Sequence, residues 1–458
     1  MLDVKNIHLI GIGGAGMTSL ANILVEAGYN VSGSDIKTFS KSKELEKKGV
    51  KIYIGHSASN IDNSDLVVFS SAIPESNIEI IEARKRGIPS LHRMDMITLL
   101  FREKDIIGVA GTHGKTTTTS MISKMLIDNK IDASFYVGGE SKDVPFGSHF
   151  GKDRYLVLET DEHDLSFLKI TPYIPVVLNV DRDHLSMDGP FKGNFSLLKD
   201  AFKRFMESSS SHKVILNLDD DFLKDYSKTA KTEVLSFSLK DRNATLFAKN
   251  IEINGLNTSC DIFLNGKNVG RLKLKIPGEK NILNAMASFL VGYQLNLQPE
   301  EILLSLSEFK GTKRRFEILY DEKFTIIDDH ADHPTEIEVT LKTAKEVFKD
   351  RRIILVLEPH RYSRVAMLFK EYAESIREAD IVFLLPLDPA DEREISGINT
   401  EKIYTEAKLL YPDKKIYYLE SEHVIKNLVN LIKRDDVVIF MGPGRIKNLA
   451  KEFLGEIK

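Results

Sequence analysis

The sequence predicts an α/β protein of three domains: a Rossmann-like N-terminal domain, a P-loop ATPase-type central domain with a small antiparallel insertion, and a Rossmann-like C-terminal domain. Three observations carry this. The chain has 458 residues, beyond the roughly 250–300 at which one hydrophobic core stops growing. Short apolar segments alternate with helical patterns, as in a parallel, doubly wound sheet. A strand that runs into a loop of special residues and then a helix begins three times, near Ile7, Asp105 and Phe324. The expected domains are 1–103, 104–319 and 320–458.

In the first domain Ile7–Ile10 is a short apolar run ending in glycines. Thr18–Ala27 carries helical apolar spacing, Tyr29–Ser32 resumes as a strand, and Leu66–Phe69 is a further buried-type strand. The second domain opens with the strand Asp105–Ala110 and a helix over Lys115–Asp128; Leu156–Leu158 and Ile174–Leu178 add buried strands. Ser208–Ser211 reads as a surface loop. Between Glu233 and Ile276 the pattern alternates, and Asn265-Gly266 is a two-residue hairpin signal, which predicts the small antiparallel insertion. Ile282–Leu295 and Glu300–Phe309 read as helices. In the third domain Ile326-Ile327 leads into Asp328-Asp329, followed by a helix over Thr335–Phe348 that Thr335 is expected to cap. The strands Ile353–Leu357, Ile381–Leu385 and Val437–Met441 complete the expected sheet.

Composition narrows the function class. Hydrophobic residues are 42% and charged residues 28% of the chain, a globular profile. No stretch approaches the ~18–20 apolar residues of a membrane span, and the start shows no basic segment and apolar core of a secretory signal, so membrane insertion is not expected and a cytoplasmic location is. The 63 basic and 67 acidic residues leave a net charge of −4, which argues against nucleic acid as the main partner. Cys260 is the only cysteine, which excludes an intramolecular disulfide and a cysteine zinc cluster.

The chemistry lies at strand ends. Gly11-Ile12-Gly13-Gly14-Ala15-Gly16 fits G-x-G-x-x-G after a strand and before a helix, where backbone N–H groups meet a phosphate. Asp35 follows Gly16 by 19 residues and suits ribose hydroxyls; alone, the pair reads as a nicotinamide dinucleotide site or as a tight packing turn. Gly111-Thr112-His113-Gly114-Lys115-Thr116-Thr117 places a Gly-Lys-Thr core on a strand-to-helix turn, with Lys115 to neutralise phosphate charge and the Thr116 hydroxyl to reach Mg²⁺. It is not a full Walker sequence, because Val109 holds the first glycine position. Glu159-Thr160-Asp161-Glu162-His163-Asp164 and Asn179-Val180-Asp181-Arg182-Asp183-His184 end the next two strands with groups that suit Mg²⁺ beside a triphosphate. Arg314 and Arg315 sit at the second domain boundary, placed to clamp a phosphate. Asp328–Glu336 and Glu358–Arg364 are further polar strand ends; the arginines of the second suit a carboxylate or other anion.

Together and in this order, Gly11–Met17, Gly111–Thr117, Glu159–Phe167, Asp183-His184, Arg314-Arg315-Phe316, Asp328–Glu336 and His360–Arg364 resemble the Mur ligase family over essentially the whole chain. The resemblance implies an ATP-dependent carboxylate–amine ligase of peptidoglycan precursor synthesis, with ATP, Mg²⁺, UDP-N-acetylmuramate and L-alanine as its small-molecule set and an acyl phosphate as intermediate. It assigns Gly13, Gly14, Ala15, Gly16, Met17, Asp35 and Ser70 to the UDP-sugar, and Gly111, Thr112, His113, Gly114, Lys115, Thr116 and Thr117 to ATP. Asn281 and Asn284 become adenine-side contacts, Asp329 the ATP ribose partner, and Arg315 a phosphate contact. Thr116, Glu159 and His184 become Mg²⁺ ligands, with Lys115, Glu159, His184 and Arg315 as the catalytic set. His330, Asp332, His360, Arg361 and Arg364 become the amino-acid site. Three segments depart from the family pattern: His330 stands for a tyrosine and Asp332 for a histidine, Lys280 stands for a histidine, and Gly442-Pro443-Gly444-Arg445 replaces Gly-Ala-Gly-Asp. A ligase of the same family that takes another amino acid or a recycled muropeptide, a nicotinamide-dependent oxidoreductase with a P-loop domain, and a nucleotide-binding regulator without turnover stay open. All of them require the three domains to meet at one cleft and close on ligand.

Overall fold

The computed structural model describes residues 4–70, 72–390 and 392–457, so the opening Met1–Asp3 segment lies outside the described residues. Three sheets follow one another along the chain. The first contains β1 (Asn6–Ile10), β2 (Asn30–Asp35), β3 (Lys51–Ile54), β4 (Leu66–Phe69) and β5 (Ser90–His92), in the order β3-β2-β1-β4-β5. All four pairings are parallel. Ile7, Leu9 and Val68 are buried among the apolar face of the helix Ala15–Glu26.

The central sheet is formed by β6 (Asp105–Ala110), β7 (Ser134–Tyr136), β8 (Ser148–His149), β9 (Tyr155–Glu159), β10 (Ile174–Val177), β11 (Lys213–Asn217), β12 (Glu233–Ser238), β13 (Leu246–Asn254), β14 (Asn257–Leu264) and β15 (Lys267–Leu274). Their order is β15-β14-β13-β12-β11-β10-β6-β9-β7-β8. The alternating segment is the expected antiparallel part of the second domain, and it continues that domain's sheet. β12 pairs in parallel with both β11 and β13, and the antiparallel strands β13–β15 prolong the same sheet. A shared core makes this possible: Leu246, Ile262 and Leu274 pack with Ile107, Val176 and Ile215 beneath the helices Glu279–Gln294 and Pro299–Ser307. The hairpin at Asn265-Gly266 is as expected, with both residues at positive φ (48° and 78°), which a type I′ turn demands. The serine run is less of a surface loop than its composition suggests. Ser209 is buried, and its hydroxyl donates to the Lys213 carbonyl at 2.7 Å, tying the turn to β11.

The third sheet holds β16 (Glu317–Asp321), β17 (Thr325–Asp329), β18 (Ile353–Leu357), β19 (Ile381–Leu384), β20 (Lys415–Tyr418) and β21 (Val437–Met441), in the order β16-β17-β21-β18-β19-β20. It is parallel except for the edge strand β16. Because β16 already belongs to this sheet, the third folding unit starts a few residues before the expected boundary at 320. No helix among the described residues is long and apolar enough to cross a membrane.

Polar contacts dock the domains. Ser19 and Asn22 of the first helix donate to the Phe146 and Ser148 carbonyls of the central domain at 3.1 Å each, and the Tyr136 hydroxyl donates to the Gly16 carbonyl at 3.0 Å. On the other side, Arg364 forms a two-pronged pair with Asp183 at 3.0 and 3.1 Å.

Candidate active site

The loop after β6 is shaped before any ligand arrives. Gly111 and Gly114 hold φ of 140° and 86°, a region that L side chains rarely adopt. A Cβ on Gly114 would lie 2.6 Å from the Asn284 side-chain oxygen. The neighbouring strand end completes the loop: the His113 N–H donates to the Asn179 side chain at 2.8 Å, and the Asn179 amide returns a bond to the His113 carbonyl at 3.0 Å. Lys115 and Thr116 then open the helix Lys115–Asp128, whose N-terminal N–H groups and dipole favour an anion.

Lys115 is parked. Its ammonium donates to both oxygens of Glu162 at 3.0 and 2.8 Å. Burial would lower its pKa, but the Glu162 carboxylate outweighs that and raises it. The Thr116 hydroxyl donates to Glu159 at 2.9 Å, and the Gly138 N–H donates to the other Glu159 oxygen at 2.7 Å. Burial keeps the Glu159 carboxyl above its ordinary value in spite of these bonds. His184 sits at φ 57° with its buried Nδ1 unpartnered and its Nε2 3.8 Å from Glu162. A hydroxyl, an undercompensated carboxylate and an orphaned imidazole nitrogen fit a divalent cation, so Thr116, Glu159 and His184 are together able to hold Mg²⁺ beside a phosphate.

The same cleft receives the C-terminal domain. Lys115, Glu159, His184, Arg315, Asp332 and His360 all line it. Arg315 lies 3.5 Å from Glu336 and also faces the pocket lined by Asn281, Asn284 and Asp329. Asp329 accepts from the Phe316 and Ala331 N–H groups at 3.0 and 2.9 Å and from the Thr340 hydroxyl at 3.1 Å, which fixes the turn that carries Arg315. Lys280 reaches Glu336 at 3.6 Å across the domain boundary. His330 is pushed down to about 3 by burial and by Arg315, so it stands neutral beside Arg314, 3.2 Å away. His360 Nδ1 is 3.0 Å from Asp332. Burial would raise Asp332, yet Arg364 and this hydrogen bond hold it well below the carboxylate range. Arg361, at φ 68°, opens the helix Tyr362–Ser375 and faces Glu392 at 3.6 Å.

Several expected residues are placed differently. Arg364 is buried in the cleft wall, and its guanidinium is divided between Asp183 and Asp332, the latter at 2.8 Å; it bridges domains, and a substrate carboxylate would compete with both aspartates for it. The His113 side chain turns to Asp181 and Glu336, so the loop position offers only its backbone to a phosphate. Asn284 is buried, accepts from the Thr118 hydroxyl at 3.2 Å and braces the loop helix from below. Met17 is buried in the first domain's core, which leaves its N–H alone to meet a ligand. Asp35 accepts from the Gly13 N–H at 2.9 Å and pins the glycine loop; Gly14 and Ala15 are exposed at the loop tip, and Ser70 lies beside Gly11. The helix after β17 is capped by His333, which accepts from the Thr335 N–H at 3.3 Å, while Thr335 donates to Asp181. The residues of the expected catalytic set are gathered in one cleft.

Two groups escaped the sequence. Glu162 lies inside the acidic segment, but only the fold shows it as the partner of Lys115. Arg93 lies where a Cβ on Gly16 would stand, and Tyr136 first, then Asp161 and Asp164, raise its pKa against burial; its buried Nε has no partner. A basic residue just past a short strand carries no motif.

Three family models match the chain in sequence: Mur ligase family, catalytic domain, over residues 6–105; Mur ligase middle domain over 109–292; and Mur ligase, glutamate ligase domain, over 314–444. The chain belongs to the Mur ligase family. Its three sheets coincide with the three Mur ligase segments, and its glycine loops and Lys115 fall inside them. The chain is 38% identical to the UDP-N-acetylmuramate–L-alanine ligase of Dictyoglomus turgidum, covering 99% of this chain and 97% of the relative. It is 36% identical to the enzyme of that name from Aquifex aeolicus, covering 99% and 98%. Among solved Mur ligase structures, the UDP-N-acetylmuramate–alanine ligase of Thermotoga maritima superposes with a TM-score of 0.82 at 29% identity, covering 99% of each chain. A murein peptide ligase of Psychrobacter arcticus gives 0.73 at 25% identity, covering 98% of each.

Proposed function

We propose that this Mur ligase joins L-alanine to the lactyl carboxylate of UDP-N-acetylmuramate at the expense of ATP, in the cytoplasm, as a step of peptidoglycan precursor synthesis. One observation carries the reading: the Lys115 loop of the central domain and the His360–Arg361 loop of the C-terminal domain open onto a single cleft, in a chain 38% and 36% identical along its length to ligases of that name.

The residues divide the work. The glycine loop Gly13–Gly16 offers N–H groups at a helix start to the UDP diphosphate. Lys115 leaves Glu162 for the γ-phosphoryl group, and Arg315 meets the same charge from the opposite wall, so the phosphoryl oxygens are neutralised as they pass to the sugar carboxylate. Thr116, Glu159 and His184 would hold Mg²⁺, which would supply positive charge to stabilise the transferring phosphoryl group. Arg361 takes the alanine carboxylate in exchange for its Glu392 partner. The alanine amine then attacks the acyl phosphate, a tetrahedral intermediate forms, and phosphate leaves as the amide is made.

The deciding experiment is phosphate release from ATP with UDP-N-acetylmuramate, assayed across single amino acids and a muramyl-derived tripeptide. Release that depends on L-alanine is expected. Release only with the peptide, or ATP binding without release under any condition, overturns the proposal.

A further inference from the structure

Beside the reacting cleft, His113, Asp181 and His333 bring three ligand atoms within 4.8 Å of one another. His113 follows β6, Asp181 follows β10, and His333 caps the helix Pro334–Phe348 of the C-terminal domain. We infer that these three side chains form a transition-metal site of the zinc class, spanning the central and C-terminal domains.

The histidines are oriented as metal ligands are. A ligating imidazole usually gives its other ring nitrogen to a carboxylate or a backbone carbonyl, which fixes the tautomer and the ring plane. His113 presents Nδ1 to Glu336 at 3.2 Å and turns Nε2 to Asp181 at 3.1 Å. His333 presents Nε2 to the Arg182 carbonyl at 3.3 Å and turns Nδ1 toward the same Asp181 oxygen, 3.7 Å away. His113 Nε2 and His333 Nδ1 thus both face one carboxylate oxygen, with the rings 5.0 Å apart; His333 Nδ1 also accepts the Thr335 N–H at 3.3 Å, a helix-cap bond that an ion would displace. A tetrahedral ion bound at about 2.1 Å sets its ligand atoms about 3.4 Å apart, close to the two nitrogen–oxygen separations of 3.1 and 3.7 Å. The Thr335 hydroxyl donates to the same Asp181 oxygen at 2.7 Å.

The donor set selects the ion. Two imidazoles and one carboxylate suit Zn²⁺ or Co²⁺, whereas Mg²⁺ prefers oxygen alone. His113 and His333 are buried, while Asp181 is about a third exposed and opens onto a cavity of about 650 Å³, which gives an ion its approach.

The test uses the full chain, stripped of metal and dialysed against Zn²⁺ with millimolar Mg²⁺ present. His333→Asn keeps a side-chain oxygen to cap the helix but removes the imidazole; Asp181→Asn is the second variant. Wild type is expected to retain one Zn²⁺ per chain more than either variant, and its Co²⁺ form to show the intense visible absorption of a four-coordinate ion. Equal zinc content in all three proteins, or only the weak bands of six-coordinate Co²⁺, overturns the site.

Discussion

At the scale of single residues, the cleft is a set of charges that wait on one another. Lys115 rests on Glu162 at 2.8 Å, and a phosphate must compete with that carboxylate. Lys115→Ala is expected to lower kcat by about 10²–10³-fold, the usual cost of one preorganised donor to developing charge, while far-UV dichroism stays native; normal turnover would refute the assignment. The two arginines of the His360–Arg364 segment are expected to separate. Arg361→Ala should raise the KM for L-alanine at least tenfold with little change in thermal stability. Arg364→Ala leaves Asp183 and Asp332 without their shared cation and should cost about 3–5 kcal/mol of stability, as broken buried pairs do, read from denaturant unfolding. The residue types at the site were legible in the sequence because phosphate chemistry demands Lys, Thr, carboxylates and glycines at strand ends. Which arginine was committed to structure was not legible. Arg364 and Asp183 are 181 positions apart, and their pairing exists only after both domains have docked.

At the scale of elements, strong local patterns folded as they read. The strands Leu66–Phe69, Asp105–Ala110 and Val437–Met441 and the helix Lys115–Asp128 have the bounds their apolar runs suggest. Short or half-exposed strands had no such signal: β3 is exposed or half-buried throughout, β7 spans three residues and β8 two. The antiparallel strands after Glu233 were legible from their alternation, but the edge they join was not. Alternation marks a strand with one covered face, but it does not say whose edge that strand joins. The turn at Gly114 is tight. Gly114→Ala puts a Cβ 2.6 Å from the Asn284 oxygen at a φ of 86°. Strain of this kind costs on the order of 1–3 kcal/mol, so the midpoint of thermal unfolding should fall and ATP affinity should drop at least tenfold, measured by calorimetry.

At the scale of the whole molecule, the domains stand closed. The pocket between Asn281, Arg315 and Asp329 holds about 60 Å³, below the roughly 300–1,000 Å³ typical of ligand sites. The C-terminal domain is expected to swing away to admit ATP, and solution scattering should then show a radius of gyration larger without ligands than with ATP and UDP-sugar. The other junction is sensitive to pH. Burial works against Glu26, yet hydrogen bonds from His149, the Phe150 N–H and Lys48 hold it at about 2. His149 is raised by its bonds to Glu26 and Asp132, both at 2.9 Å. A lowered carboxyl stabilises above its unfolded value of about 4.3, and a raised imidazole stabilises below about 6.5. The first and central domains should therefore hold each other most firmly between about pH 4.5 and 6.5. The stability difference between wild type and His149→Gln should be largest within that range and shrink as pH rises above about 6.5, as thermal melts will show. The Arg364 fork has a consequence for protein engineering. A C-terminal unit transplanted from a relative brings its own residue to that position, and unless it is an arginine the host's Asp183 is stranded in the seam. Modules of this enzyme can be exchanged only as matched pairs, with both halves of the fork carried in the same graft.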